Sequence, residues 1–204
     1  MQFIDSSPNP NIVTAYGNAK ISTSEFYFGS SSISFDGTNS YLNIPYNANT
    51  DFGTSGDFTV ETFFKLTSPA GYYGWFDKNS SAGMLSYLYP ALNKIYLATN
   101  GTDLAAWNYT FDSNWHHISL MRRASYYYLY IDGVQITSPQ GAVATAGTLS
   151  GSYPIQIGRR SVGDGYLYGY LCDYRVSSIA RTQVVGTFPV PKRPYGQPIS
   201  SGGN

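Results

Sequence analysis

WHHISLMRRASYYYLYIDGVQI, residues 115–136, is the stretch whose reading decides the fold. It divides into two β-strands and the start of a third. Trp115 to Arg122 forms one strand, Arg123-Ala124-Ser125 a turn, and Tyr126 to Ile131 the next. Asp132-Gly133 then fits a two-residue hairpin loop, in which both central residues need positive φ and glycine supplies one without steric cost. Side chains alternate along a strand. Tyr127, Leu129 and Ile131 therefore share one face, and Tyr126, Tyr128 and Tyr130 the other. One face is apolar enough for a core and the other is a tyrosine ladder. That pattern suits one layer of a two-layer antiparallel structure.

The same alternation spreads outward from this unit. In DFTVETFFKL, residues 57–66, Phe58, Val60, Thr62, Phe64 and Leu66 face one way and Thr59, Glu61, Phe63 and Lys65 the other. Between Ser31 and Pro45, Ile33 and Phe35 point inward, Asp36-Gly37-Thr38-Asn39 turns, and Tyr41 to Ile44 returns. Residues 1–11 are turn-rich, and Asn11 to Ser22 reads as one short strand around Ile12, Val13 and Ile21. Further short strands are predicted at Tyr73–Asp77, Met84–Tyr89, Lys94–Thr99, Ala105–Asn108, Tyr153–Ile157 and Gly165–Val176. Such spacing, with turn residues between strands and no amphipathic helix, predicts an all-β chain: a two-sheet antiparallel β-sandwich or jelly roll.

Composition narrows the function. Twelve Lys+Arg balance twelve Asp+Glu among 204 residues, and charged residues are only 12% of the chain. No basic cluster is present, which argues against nucleic acid as a partner. So few charges leave a surface expected to be covered in part by other protein. Cys172 is the only cysteine and lies in a strand pattern, so it reads as a small buried hydrophobe. No apolar run reaches the length of a membrane span, and the N-terminal sequence does not read as a signal peptide. A chain made in a cytoplasm, yet rich in Tyr, Ser, Thr and Asn like outward-facing adhesive proteins, fits a virion component made in a host cell and displayed outside it.

Three segments, SISFDGTNSYLNIP (32–45) with DFTVETFFKL (57–66), WHHISLMRR…YLYIDGVQI (115–136) and IQIGRR…GYLYGYLCDYRVSS (155–178), together resemble the concanavalin A-like, laminin-G-type jelly roll. The likeness covers roughly residues 10 to 182. The opening IDSSPNPNIVTAYGNAKIS and the closing DYRVSSIARTQVVGTFPVP are similar to versions of this domain in tailed-phage structural proteins. The resemblance implies two curved antiparallel sheets packed face to face, with termini close together. It implies binding of sugars or proteins through rim loops or the concave sheet, often with calcium. It also implies that the Trp-His-His run is structural. Where the family often has paired acids before its last strand, this chain has Cys172-Asp173, so one carboxylate remains.

Enzymes of this architecture need two or three carboxylates on one strand. Only Glu25 and Glu61 are glutamates here, and no pair of carboxylates occupies alternating strand positions. Adjacent strand positions point to opposite faces, so His116 and His117 cannot hold one ion together, and one cysteine with two such histidines excludes a zinc site. No catalytic residue is assigned. Among the loop acids, Asp36, Asp132, Asp164 and Asp173, an Asp before Gly is what a tight turn requires. Calcium is the one cofactor considered, with Asp36 and Asp164 as its candidate ligands and Asp164 favoured by the flexible Ser161-Val162-Gly163-Asp164-Gly165 loop.

Aromatic residues carry the positive signal: 20 Tyr, 11 Phe and 3 Trp. Tyrosine offers a flat apolar face with a polar tip, suited to interfaces and wet grooves. The clusters expected on loops are residues 71–75, Tyr87 with Tyr89, Trp107 with Tyr109, and Tyr166 with Tyr168. From these, Tyr72, Tyr73, Trp75, Trp107, Tyr109, Asp164 and Tyr166 are the candidate ligand-binding residues. The expected organisation is one jelly-roll domain, 1–182, and a Pro/Gly-rich tail, 183–204, docked on its own domain or a neighbouring subunit. Phe188, Pro189, Pro191 and Tyr195 are the candidate assembly residues. The predicted function is a non-enzymatic virion surface protein of a tailed phage, decorating the capsid or tail or binding host-surface glycan. Its partners would be further copies of itself, other virion proteins, and glycan. A cellular lectin module is the alternative, and a polysaccharide-degrading enzyme the rival from another class.

Overall fold

The computed structural model describes residues 3–53, 56–79, 81–144, 151–181 and 186–195. In chain order its strands are β1 (Thr14–Tyr16), β2 (Lys20–Ser22), β3 (Ser32–Asp36), β4 (Tyr41–Ile44) and β5 (Phe58–Leu66). There follow β6 (Tyr73–Lys78), β7 (Met84–Tyr89), β8 (Lys94–Thr99), β9 (Thr102–Asn108) and β10 (His116–Arg123). The last are β11 (Tyr126–Ile131), β12 (Val134–Gln135), β13 (Val143–Ala144), β14 (Ile155–Ile157) and β15 (Tyr168–Ser177). One sheet, here the front sheet, runs β1-β4-β14-β6-β7-β8-β9. The back sheet runs β12-β11-β10-β5-β15-β3-β2, with β13 also on β11. Every ladder is antiparallel, so the predicted two-sheet β-sandwich is the fold.

The 115–136 unit behaves as its alternation requires. Strands β10 and β11 pair from Ile118 opposite Ile131 to Arg123 opposite Tyr126. The inward residues Ile118, Leu120, Tyr127 and Leu129 are fully buried against Val60 and Phe64 of β5. Asp132 and Gly133 both have positive φ, 50° and 77°, as the two-residue hairpin demands. The turn before β11 has the same form, with Ala124 at 47° and Ser125 at 68°.

One expectation changes. Asn11 to Ser22 is not one strand. Positive φ at Gly17 turns the chain, so β1 joins the front sheet and β2 the back sheet, and Ile12 is left exposed. The alternation of β5 separates two residue sets, and the structure encloses each of them. Both faces are buried. The loop 23–31 covers part of its outer side, with Tyr27 stacked on Phe63 at 4.2 Å and Glu25 bonded to Lys65 at 2.7 Å. Cys172 is buried beneath the same loop.

Residues 179–181 bond Thr59 at one end of that outer face, and residues 186–195 form a strap across the back sheet beside it. The Phe188 N–H donates to Gly133 O at 2.8 Å, and Gln135 N–H donates to Gly186 O at 2.7 Å. The Phe188 ring meets Tyr130 and His117 edge-on at 5.2 and 5.8 Å. The Tyr195 N–H donates to Asp173 Oδ2, and the Tyr195 ring lies under the Arg175 guanidinium at 3.3 Å. Phe188 and Tyr195, expected at subunit contacts, are therefore engaged within the chain, while Pro189 is exposed and Pro191 half-buried. The 182/183 boundary and residues 196–204 lie outside the described residues. Among the described residues, no helix is long and apolar enough to cross a membrane.

Candidate functional site

The outer face of the front sheet carries a tyrosine cluster separate from the core. Leu85, Tyr87 and Ala98 form its floor, with Tyr72, Tyr89 and Tyr96 packed around them. Tyr87 of β7 sits directly opposite Tyr96 of β8, and this cross-strand pair stacks with centroids 4.8 Å apart and planes 4° from parallel. Tyr89 lies 6.2 Å from Tyr96 and 5.6 Å from Tyr72. Tyr72, Tyr89 and Tyr96 are half-buried, so rings supported from below remain accessible from above.

Polar groups frame this platform. The loop 158–165 crosses the outside of β6, because Gly74 has no Cβ; one there would lie 2.4 Å from the Arg159 carbonyl. Gly74 N–H donates to Gly165 O at 2.8 Å, and Arg160 N–H to Asp164 O at 2.9 Å, which fixes the loop. The Arg160 guanidinium then rests 5.5 Å from the Tyr72 ring and 5.7 Å from Tyr87, with Asp164 Oδ1 at 3.3 Å from its Nε. Tyr72 donates to Asp164 Oδ2 at 3.0 Å, and Tyr87 to Asp103 at 3.1 Å. Burial and the neighbouring carboxylates raise both phenol pKa values, so the hydroxyls stay protonated donors at neutral pH. Stacking faces beside hydroxyl, carboxylate and guanidinium groups can bind a polyhydroxylated ring; no group there is arranged as a nucleophile–base pair.

The structure gathers Tyr72 and Asp164 into this site and leaves Tyr166 half-buried in the adjoining loop. It removes both tryptophans. Trp75 and Trp107 are 0% exposed, on β6 and β9 rather than on loops, and their indole N–H groups donate inward to Ser86 Oγ and Gly141 O. Tyr73 is also a core residue, its hydroxyl donating to Ser68 O. Tyr109 packs against the main core, edge-on to Phe111 and His116. The sequence reading missed Arg160, Tyr96 and Asp103. The outward parity of Tyr96 in KIYLAT was visible, but its pairing with Tyr87 needed the strand register.

Asp36 is a turn residue. Its Oδ1 accepts from the N–H groups of Thr38, Asn39 and Ser40 and its Oδ2 from Asn18, which together hold its carboxyl far below the usual range despite some burial. Oδ1 is thus engaged by its own turn and Oδ2 by Asn18, the role that an Asp before Gly takes in a tight turn. Among the described residues, no group of three or more His, Cys, Asp or Glu side chains is arranged so that it could hold a metal ion. Beside this turn, Lys20, Thr67, Tyr168 and Tyr170 line an open groove of about 590 Å³.

Neither glutamate is placed for hydrolysis. Glu25 pairs with Lys65. Glu61 is 3% exposed beneath the strap, bonded to Arg175 at 2.6 Å and Arg181 at 2.8 Å, with His117 Nε2 at 3.4 Å. Burial alone would raise its carboxyl, but the His117 hydrogen bond and the Arg175 charge outweigh that and hold it below the usual range. His116 and His117 point to opposite faces as expected, His116 lying between Asp112 and Asp132.

The sequence model described as the Concanavalin A-like lectin/glucanases superfamily matches residues 36–184. No curated protein matches the sequence. Among solved structures, the fold is similar to the binding domain of Paraclostridial Mosquitocidal Protein 1, with TM-score 0.66 and 15% identity over 88% of this chain and 47% of that one. The binding domain of botulinum neurotoxin serotype D aligns with TM-score 0.65 and 11% identity, covering 88% of this chain and 45% of its own. A structure of botulinum neurotoxin type C, whose access to cells is described as dependent upon interaction with two ganglioside molecules, aligns at 0.64 and 10% identity, over 88% and 46%. The chain thus spans less than half of each of these proteins, and at such identities the likeness is one of fold.

Proposed function

From the premise that this chain belongs to the concanavalin A-like lectin/glucanases superfamily, we propose that it is a non-enzymatic carbohydrate-binding module. The observation that carries the reading is the Tyr72–Tyr87–Tyr89–Tyr96 platform with Arg160, Asp103 and Asp164 at its margin. Binding sites combine aromatic surface with a few placed polar groups, and this platform has both. The glutamates support a binding rather than a hydrolytic role, because each is committed to a cation within the fold. Two of the structures described above are binding domains, which agrees with that role.

The setting follows a narrower line. The opening and closing segments resemble those of tailed-phage structural proteins, and on that resemblance the module is assigned to a virion surface, with host glycan as its target. None of the structures described above is a virion protein; mass spectrometry of purified particles tests the assignment, and absence of the chain from them overturns it. The binding function itself is tested on a glycan array, run with calcium and again with a chelator. Binding to one glycan class is expected. Loss in chelator would make calcium part of the site through Asp164, and silence in both conditions overturns the function.

A further inference from the structure

The front sheet carries a second aromatic assembly, on the same outer face but across the 158–165 loop from the platform. Tyr16 of β1 is paired directly with Tyr41 of β4, and their rings stack at 4.5 Å with planes 4° apart. The Arg159 guanidinium lies 3.5 Å from the Tyr41 ring centre. At these separations a ring and a guanidinium cannot share one face of Tyr41, so the order of the stack is Tyr16, Tyr41, Arg159. Such stacking holds the guanidinium plane while leaving its donor edge pointing outward.

The hydrogen bonding of this arginine is unlike that of its neighbours. Arg160 faces Asp164, and Arg175 and Arg181 face Glu61. Among the described residues, Arg159 has no carboxylate partner; its Nε donates to the neutral Gln156 Oε1 at 3.0 Å. That bond fixes the side chain and leaves the terminal N–H groups for an acceptor from outside. A planar guanidinium is matched by a planar carboxylate, which it binds through two parallel hydrogen bonds. Arg159 also precedes Arg160 in the chain, so this subsite continues the tyrosine platform rather than standing apart from it.

We infer that the Tyr16–Tyr41–Arg159 stack is a subsite for a carboxylate-bearing sugar, which makes the module selective for acidic over neutral glycan. This inference rests on the carbohydrate-binding reading and names its ligand class. The experiment is affinity electrophoresis of the whole chain through gels containing polygalacturonate or its methyl ester, two polymers that differ only in the free carboxylate. The proteins are wild type, R159Q and K20Q, the last removing one positive charge from the other sheet, with thermal melts confirming that each is folded. Wild type is expected to bind the free acid roughly tenfold more tightly than the ester, the size of one charge-assisted hydrogen-bonded contact. R159Q should lose that preference and K20Q keep it. Equal binding of acid and ester by wild type, an R159Q preference equal to wild type, or an equal loss in K20Q overturns the inference. Binding of neutral array glycans with no binding of polygalacturonate overturns the inference alone, whereas no saccharide binding of any kind overturns the carbohydrate-binding reading as well.

Discussion

Single residues divide here between those that hold the sandwich and those that face outward, and burial decides which is which. Trp107 is wholly enclosed, so Trp107→Ala should cost about 3–5 kcal/mol of stability, read as a lower denaturation midpoint; an unchanged midpoint would return it to the surface. Glu61 has the opposite chemistry with the same placement. Replacing one partner of a buried ion pair leaves charge uncompensated, here on Arg175, so Glu61→Gln should destabilise by about 3 kcal/mol. Its carboxyl is depressed, so its contribution is present above the unfolded pKa and lost as pH falls through the folded one. His116 runs the other way. Its hydrogen bond to Asp132 outweighs burial and raises its pKa. That contribution is complete below the ordinary value of 6.5 and is lost as pH rises through the folded value. Thermal melts from acid to mildly alkaline pH should show that alkaline decline, and His116→Asn should abolish it.

At the scale of elements, turns and coverings matter more than strands. The Ala124-Ser125 turn has two non-glycine residues at positive φ, a conformation that costs roughly 1–2 kcal/mol per residue elsewhere. Asn-Gly at these positions should raise stability by about 1 kcal/mol, and a lowered melting temperature would contradict the turn type. The strap is the other decisive element. Phe188 closes over Tyr130 and His117, so Phe188→Ala should cost about 1–2 kcal/mol, less than a full core deletion because the ring is only half-buried. Alternation made β5, β10 and β11 legible from sequence, because one side chain in two must face the core, and Asp132-Gly133 marked its hairpin; the turn before β11 is shorter by Arg123, which stays in the strand opposite Tyr126. It could not show that β5 is covered on its outer side. That depends on loop 23–31 and on residues 186–195, which have no periodicity. The division of residues 11–22 between two sheets was hidden for a related reason: only Gly17 marks the crossing.

For the molecule as a whole, the two sheets have different outer faces. The back sheet is closed in large part by the loop and the strap, while the front sheet presents the tyrosine platform and the Arg159 stack. Aromatic abundance was plain in the sequence, but its partition was not. Tyr72 and Asp164 meet because the 158–165 loop folds over Gly74, and Trp75, one residue beyond that glycine, points into the core. Parity along one strand cannot reveal contacts made across β7 and β8. Saccharide binding by the front face is tested most directly by comparing wild type with a Tyr72→Ala/Tyr89→Ala double variant on the same glycan array. Wild type should bind one glycan class, and the double variant, still folded, should bind it at least about tenfold more weakly. Undiminished binding by the variant would contradict saccharide binding by that face.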